Sequence, residues 1–182
     1  MWTTPNIITC LRVALIPLFV YVYFLDWQWA QLASAFVFWL AAVTDWLDGY
    51  LARKLNQTSA FGAFLDPVAD KLIVAAALIL ITHSYGSLWI TLPAVVLLSR
   101  EIYVSALREW MAQRGKRDRV QVGLLGKAKT LTQMLALIGL LANIHAFMLV
   151  TLGHILLYVA AVLSVWSMYH YTQSAWHDMR DE

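Results

Sequence analysis

The chain has 182 residues, 61% of them hydrophobic and only 13% charged. A soluble domain of this length has no need of so much apolar surface, and several apolar runs approach the ~20 residues that span a bilayer. The formal net charge of +2 decides little by itself, and the single Cys10 excludes an internal disulfide, so the placement of charge carries the information.

Met1 to Asn6 form a short lead in which Trp2 suits an interface. No basic segment precedes the first apolar run and no convincing small-residue cleavage site follows it, so that run is expected to be retained. A first span is predicted over Asn6–Leu25, with Arg12 well inside it. Asp26–Gln31 reads as a turn carrying two tryptophans. The second span covers about Leu32–Arg53, and a polar connection, Lys54–Ala60, follows. Gly62–Leu65 then leads into a third span, about Pro67–Thr82, which ends in the turn His83–Ser87. Spans four, five and six run over about Leu88–Trp110, Gly126–His145 and Phe147–Tyr171, with the most basic stretch, read as a loop, between four and five. With no internal repeat, residues 1–182 read as a single domain: an all-α, polytopic integral membrane protein with six transmembrane helices.

Six spans put both termini on one side. Of the 13 Lys and Arg residues, none falls in the turns of the opposite side, Asp26–Gln31, His83–Ser87 and Asn143–Phe147. By the positive-inside rule the termini and the connection after span two face the cytoplasm. Trp27, Trp29, Trp89, Trp110 and Trp176 lie near span ends and read as interfacial belts rather than stacking platforms, and no nucleic-acid partner is expected.

The chemistry concentrates between Asp45 and Asp70. At ~100° per residue, Asp45, Asp48 and Ala52 fall within about 60° of one another on a helix, Gly49 shares that face, and Arg53 lies at its margin. Asp66 and Asp70 stack four residues apart on the next helix. Four unpaired carboxylates beside hydrocarbon would repel one another and suffer desolvation. One or two hard divalent cations remove both problems, and all-oxygen ligands suit Mg²⁺ or Mn²⁺. Gly49 and Ala52 leave room for a ligand, and Arg53 offers a fork of donors to a phosphate. That is the equipment of metal-assisted phosphoryl transfer. Taken singly, each acid has a plainer reading: Asp45 and Asp48 paired with Arg53 or Lys54, Asp66 capping a helix begun by Pro67, and Asp70 paired with Lys71.

The stretch resembles the signature of the CDP-alcohol phosphatidyltransferases, D-x2-D-G-x2-A-R-x8-G-x3-D-x3-D. Asp45, Asp48, Gly49, Ala52, Arg53, Gly62, Asp66 and Asp70 fill all of its fixed positions. The resemblance implies that Asp45, Asp48 and Asp66 hold the metals, two ions of Mg²⁺ or Mn²⁺. Asp70 would contact a metal and act as base, and Arg53 would stabilise the departing CMP. Gly49, Ala52 and Arg53 would lie against CDP-diacylglycerol, whose tails would enter sideways from the lipid bilayer. Homodimers occur in the family, and a homodimer is a further expectation.

Two more segments resemble the glycerol-phosphate-transferring members. The first is P-N-x-x-T-x-x-R, here Pro5 to Arg12, which would place Asn6 and Thr9 near the nucleotide diphosphate. Arg12 itself either snorkels to headgroups or turns toward a ligand or an acid. The second is R-E-x6-R followed by G-K-x-K-T-x-x-Q, which makes Arg100, Arg108, Lys127 and Lys129 the pocket for the acceptor phosphate. Without that likeness, juxtamembrane lysines read equally well as positive-inside anchors. The implied reaction moves a phosphatidyl group from CDP-diacylglycerol to sn-glycerol 3-phosphate, at the cytoplasmic face of a bacterial inner membrane. Sister enzymes making cardiolipin, phosphatidylserine or phosphatidylinositol phosphate share the core motif. A transporter using the acids as a relay is the rival from another class, although relay acids belong near the midplane. His170 and His177, seven apart, are weak candidates for a metal.

Overall fold

The computed structural model describes residues 4–55, 60–115, 124–142 and 147–180, with side chains described for 7–44, 61–62, 64–115, 126, 128–142 and 148–176. These residues form six α-helices: α1 (Thr4–Tyr23), α2 (Ala30–Leu55), α3 (Ala60–Tyr85), α4 (Leu88–Gln113), α5 (Leu124–Ala142) and α6 (Phe147–Arg180). The helix count matches the sequence pattern, but several bounds move. Pro67 does not open the third helix. It lies inside α3, which begins at Ala60, so Asp66 is a helical residue and not an N-cap. One backbone bond is lost there, and apolar helices tolerate that where neighbours satisfy the freed carbonyl. The predicted turn at His83–Ser87 shortens to Gly86 and Ser87 because α3 runs on through Tyr85. Gly86, at φ +52°, makes the left-handed exit that ends it. The turn expected at Asn143–Phe147 falls largely outside the described residues.

α1 packs on α2 and α3, α5 on α6 and α2, and α4 on α6 and α3. The main core combines Phe19, Phe38, Ile81, Leu97, Leu137, Leu140 and Leu157 with small alanines that let the helices approach. A smaller cluster of Val104, Leu107, Met111, Tyr171 and Ala175 joins α4 to α6 nearer the basic end of the chain's topology. Outside these cores, large apolar side chains point away from the protein in mid-helix, among them Ile79, Ile102, Leu131 and Val162, all at least 60% exposed. Among the described residues, two helices, over Leu88–Gln113 and Met148–Trp176, are long and apolar enough to cross a membrane.

The α5–α6 contact depends on one glycine. A Cβ on Gly153 would stand 3.0 Å from the buried Leu140 side chain, as at the small-residue contacts of apolar bundles. Gly153→Leu should therefore cost about 1–3 kcal/mol of stability, read as a lower thermal midpoint in detergent than that of Gly153→Ala. Equal midpoints for wild type and Gly153→Leu would show that the contact is slack.

Candidate active site

The acidic motif divides between two helices, as its spacing implies. The backbone carrying Asp45, Asp48, Gly49, Ala52 and Arg53 is the last part of α2, and that carrying Asp66 and Asp70 is the first part of α3. The side chains of Asn6, Asp45, Asp48, Gly49, Ala52, Arg53 and Lys127 lie outside the described residues, so the proximity expected of them is not among the observed contacts. Among the described residues no three candidate ligands gather around one point. Asp66 and Asp70 are the two members of the predicted carboxylate set that are described. Oxygen-only donors of this kind fit a hard divalent ion.

Arg12 turns inward. Its side chain is 1% exposed, and Nη1 donates to Oδ1 of the half-exposed Asp66 at 3.0 Å, tying α1 to α3. It therefore does not snorkel to the headgroups. Thr9, one turn earlier, is buried on the same side. A buried guanidinium beside Asp66 fixes the direction of that carboxylate, leaving its second oxygen for another positive partner.

Asp70 faces the other way from the plain pairing with Lys71. Lys71 donates through Nζ to Oγ of Ser105 on α4. Asp70 instead lines a cavity of about 130 Å³ with Arg100, Glu101, Arg108, Gly126, Lys129, Thr130, Gln133 and Tyr171. Three helices thus bring Asp70 to the basic residues, which stand midway along α4 (Arg100), in its last turns (Arg108) and in the first part of α5 (Lys129). Lys129, expected in the acceptor-phosphate pocket, occupies the inner face of α5 and is 2% exposed.

The cations are held by specific partners. Arg100 donates from Nη2 to Ser167 Oγ at 2.8 Å and lies 3.6 Å from Glu101. Lys129 pairs with Glu101. Arg108 donates from Nη2 to the Tyr171 hydroxyl at 3.1 Å, with its guanidinium 5.0 Å from the ring centroid. The Nε–H groups of Arg100 and Arg108 are buried with no acceptor among the described residues. Three cations against two carboxylates, with apolar clusters on either side, make a pocket that attracts an anion strongly. Its volume far exceeds the ~15 Å³ that one water requires.

Ser167 and Tyr171 had no functional reading in the sequence. Their signal was a buried polar stripe, Ser164, Ser167 and Tyr171, recurring at helical spacing along an otherwise apolar α6. His170, by contrast, is exposed and packs near Trp166 and Tyr169, away from the cavity.

Comparison with known proteins identifies the family. The family described as CDP-alcohol phosphatidyltransferase matches residues 2–166. A Salmonella paratyphi A protein is 51% identical over 178 residues, covering 98% of this chain and 97% of its own length. One from Pectobacterium atrosepticum is 53% identical over 175 residues, with 96% of each chain covered. One from Pseudomonas fluorescens is 52% identical over 180 residues, with 98% and 92% covered. All three are named CDP-diacylglycerol–glycerol-3-phosphate 3-phosphatidyltransferase. The family depends in general on divalent metal. On a family match spanning most of its length and full-length relatives at half identity, this chain belongs to the CDP-alcohol phosphatidyltransferases.

Proposed function

We propose that this chain transfers the phosphatidyl group of CDP-diacylglycerol to sn-glycerol 3-phosphate, giving phosphatidylglycerophosphate and CMP. The observation that carries the reading is the cavity in which Arg100, Arg108 and Lys129 meet Asp70. The names of the full-length relatives support it. A phosphate held by the three cations places the rest of a short polyol beside a carboxylate, the arrangement an alcohol nucleophile needs.

Asp70 takes the proton of the glycerol C1 hydroxyl as that oxygen attacks the β-phosphorus of the nucleotide lipid. The bond from the β-phosphorus to the CMP oxygen breaks, and CMP leaves with the electron pair, its charge met by Arg53. Asp45, Asp48, Asp66 and Asp70 would hold Mg²⁺ or Mn²⁺, which when bound neutralises the diphosphate and the leaving group. Arg12 keeps Asp66 directed toward that work. In this reading Asn6, Thr9, Gly49 and Ala52 would contact CDP-diacylglycerol, and Lys127 adds a further positive charge for the acceptor phosphate.

All six helices lie in the bilayer in this reading, which the lipid-facing pattern of Ile79, Ile102, Leu131 and Val162 supports. The motif end faces the cytoplasm of a bacterial inner membrane. The full-length relatives, all named as transferases, favour an enzyme over a transport relay.

The test is steady-state kinetics with each substrate varied separately. A charge-assisted contact is worth about 1.5–3 kcal/mol, so Arg108→Ala and Lys129→Ala should each raise half-saturation for glycerol 3-phosphate roughly ten- to hundredfold. The value for CDP-diacylglycerol should stay nearly constant. A loss confined to CDP-diacylglycerol would assign the cavity to the donor and remove the main support for a glycerol phosphate acceptor.

A further inference from the structure

One polar side chain in the cavity has no role in the chemistry above. Gln133 lies one turn along α5 from Lys129 and Thr130, is 2% exposed, and lines the cavity beside Asp70, Arg100 and Arg108. Its carboxamide oxygen Oε1 is buried with no hydrogen-bond partner among the described residues. The terminal nitrogens of the cations around it donate elsewhere, to Ser167, Tyr171 and Glu101, and the Nε–H groups of Arg100 and Arg108 make no hydrogen bond to it. An unpaired buried acceptor is costly and is seldom retained without a partner that arrives from outside.

The chemistry of that partner is constrained. An acceptor oxygen repels phosphate oxygens, so Oε1 does not serve the anionic end of the ligand, whatever the N–H groups of the same carboxamide do. It needs a donor, and the donors of a glycerol phosphate are its two hydroxyls. The C1 hydroxyl gives its proton to Asp70 during transfer, which leaves the C2 hydroxyl. We infer that Gln133 Oε1 accepts a hydrogen bond from the C2 hydroxyl and selects a polyol phosphate over an alkyl phosphate of equal length. This rests on the reading of the cavity as the acceptor site. Gln133 is a specificity-determining residue in this account, separate from the cations that hold the phosphate and the carboxylate that takes the proton.

The test compares two acceptors on the purified full chain in micelles containing CDP-diacylglycerol and Mg²⁺. One is sn-glycerol 3-phosphate. The other is 3-hydroxypropyl phosphate, which keeps the nucleophile and the phosphate and lacks only the C2 hydroxyl. A site built around a substrate hydroxyl rejects the analogue without it strongly, so wild type should favour glycerol 3-phosphate by ~10²-fold or more in kcat/KM. In Gln133→Leu the ratio should collapse toward one, because the variant no longer leaves an acceptor unpaired. Gln133→Met provides the same comparison if the branched side chain prevents folding. An unchanged ratio in a folded variant, or equal loss against both acceptors, would make Gln133 a packing residue and overturn the assignment. A wild type that used both acceptors equally would overturn the assignment alone. A wild type that used neither would overturn the glycerol phosphate reading and this assignment with it.

Discussion

Exhaustive chelation should reduce turnover to background, and Mg²⁺ or Mn²⁺ should restore it. The reason lies in the donor set. Four carboxylates from the end of α2 and the start of α3 have too little fixed positive charge between them. Arg12 meets Asp66 with one nitrogen at 3.0 Å, and Arg53 is the remaining cation of the motif. A charged diphosphate cannot approach such a group without further neutralisation. Asp48→Asn should lower kcat by several orders of magnitude for the same reason, since a neutral amide is a poor ligand for a hard divalent ion. The fold should survive, as seen by an unchanged thermal midpoint. Full turnover after chelation would end the metal reading.

Asp70→Asn should separate binding from chemistry. Loss of a general base typically costs ~10²–10⁴ in rate, whereas the nucleotide lipid is held mainly by groups other than the base. The measurement is kcat against CDP-diacylglycerol affinity in one preparation. A drop in kcat with affinity nearly retained is the expected outcome. Equal loss of both would make Asp70 chiefly a metal ligand, and the base would then have to be another acceptor in the same cavity.

The six helices were legible because apolar runs of bilayer length separated by polar turns leave few alternatives. The bounds were less so. Pro67 marked a helix start by its usual habit, yet α3 begins at Ala60, since surrounding helices can satisfy a carbonyl that an isolated helix would leave bare. Arg12 was conspicuous as a charge inside an apolar run, but its partner Asp66, 54 residues away, depends on α1 packing against α3. The basic residues of spans four and five were visible as a group. Their shared cavity with Asp70 was not, because it requires the meeting of four helices, α3 to α6. Ser167 and Tyr171 escaped attention, and Gln133 was visible only as the last position of a motif, for a different reason. A lone hydroxyl or amide in an apolar helix is ordinary in sequence and acquires meaning only from what stands opposite, here Arg100, Arg108 and an unfilled hydrogen bond.

The most direct measurement of the proposed reaction is product identity with a panel of acceptors. Purified protein, CDP-diacylglycerol micelles and Mg²⁺ would be incubated separately with sn-glycerol 3-phosphate, serine, inositol phosphate and phosphatidylglycerol, and the lipids identified by mass. Glycerol 3-phosphate alone should give CMP and phosphatidylglycerophosphate in equal amounts. A lipid product from one of the other acceptors, or none from glycerol 3-phosphate, would contradict the reading.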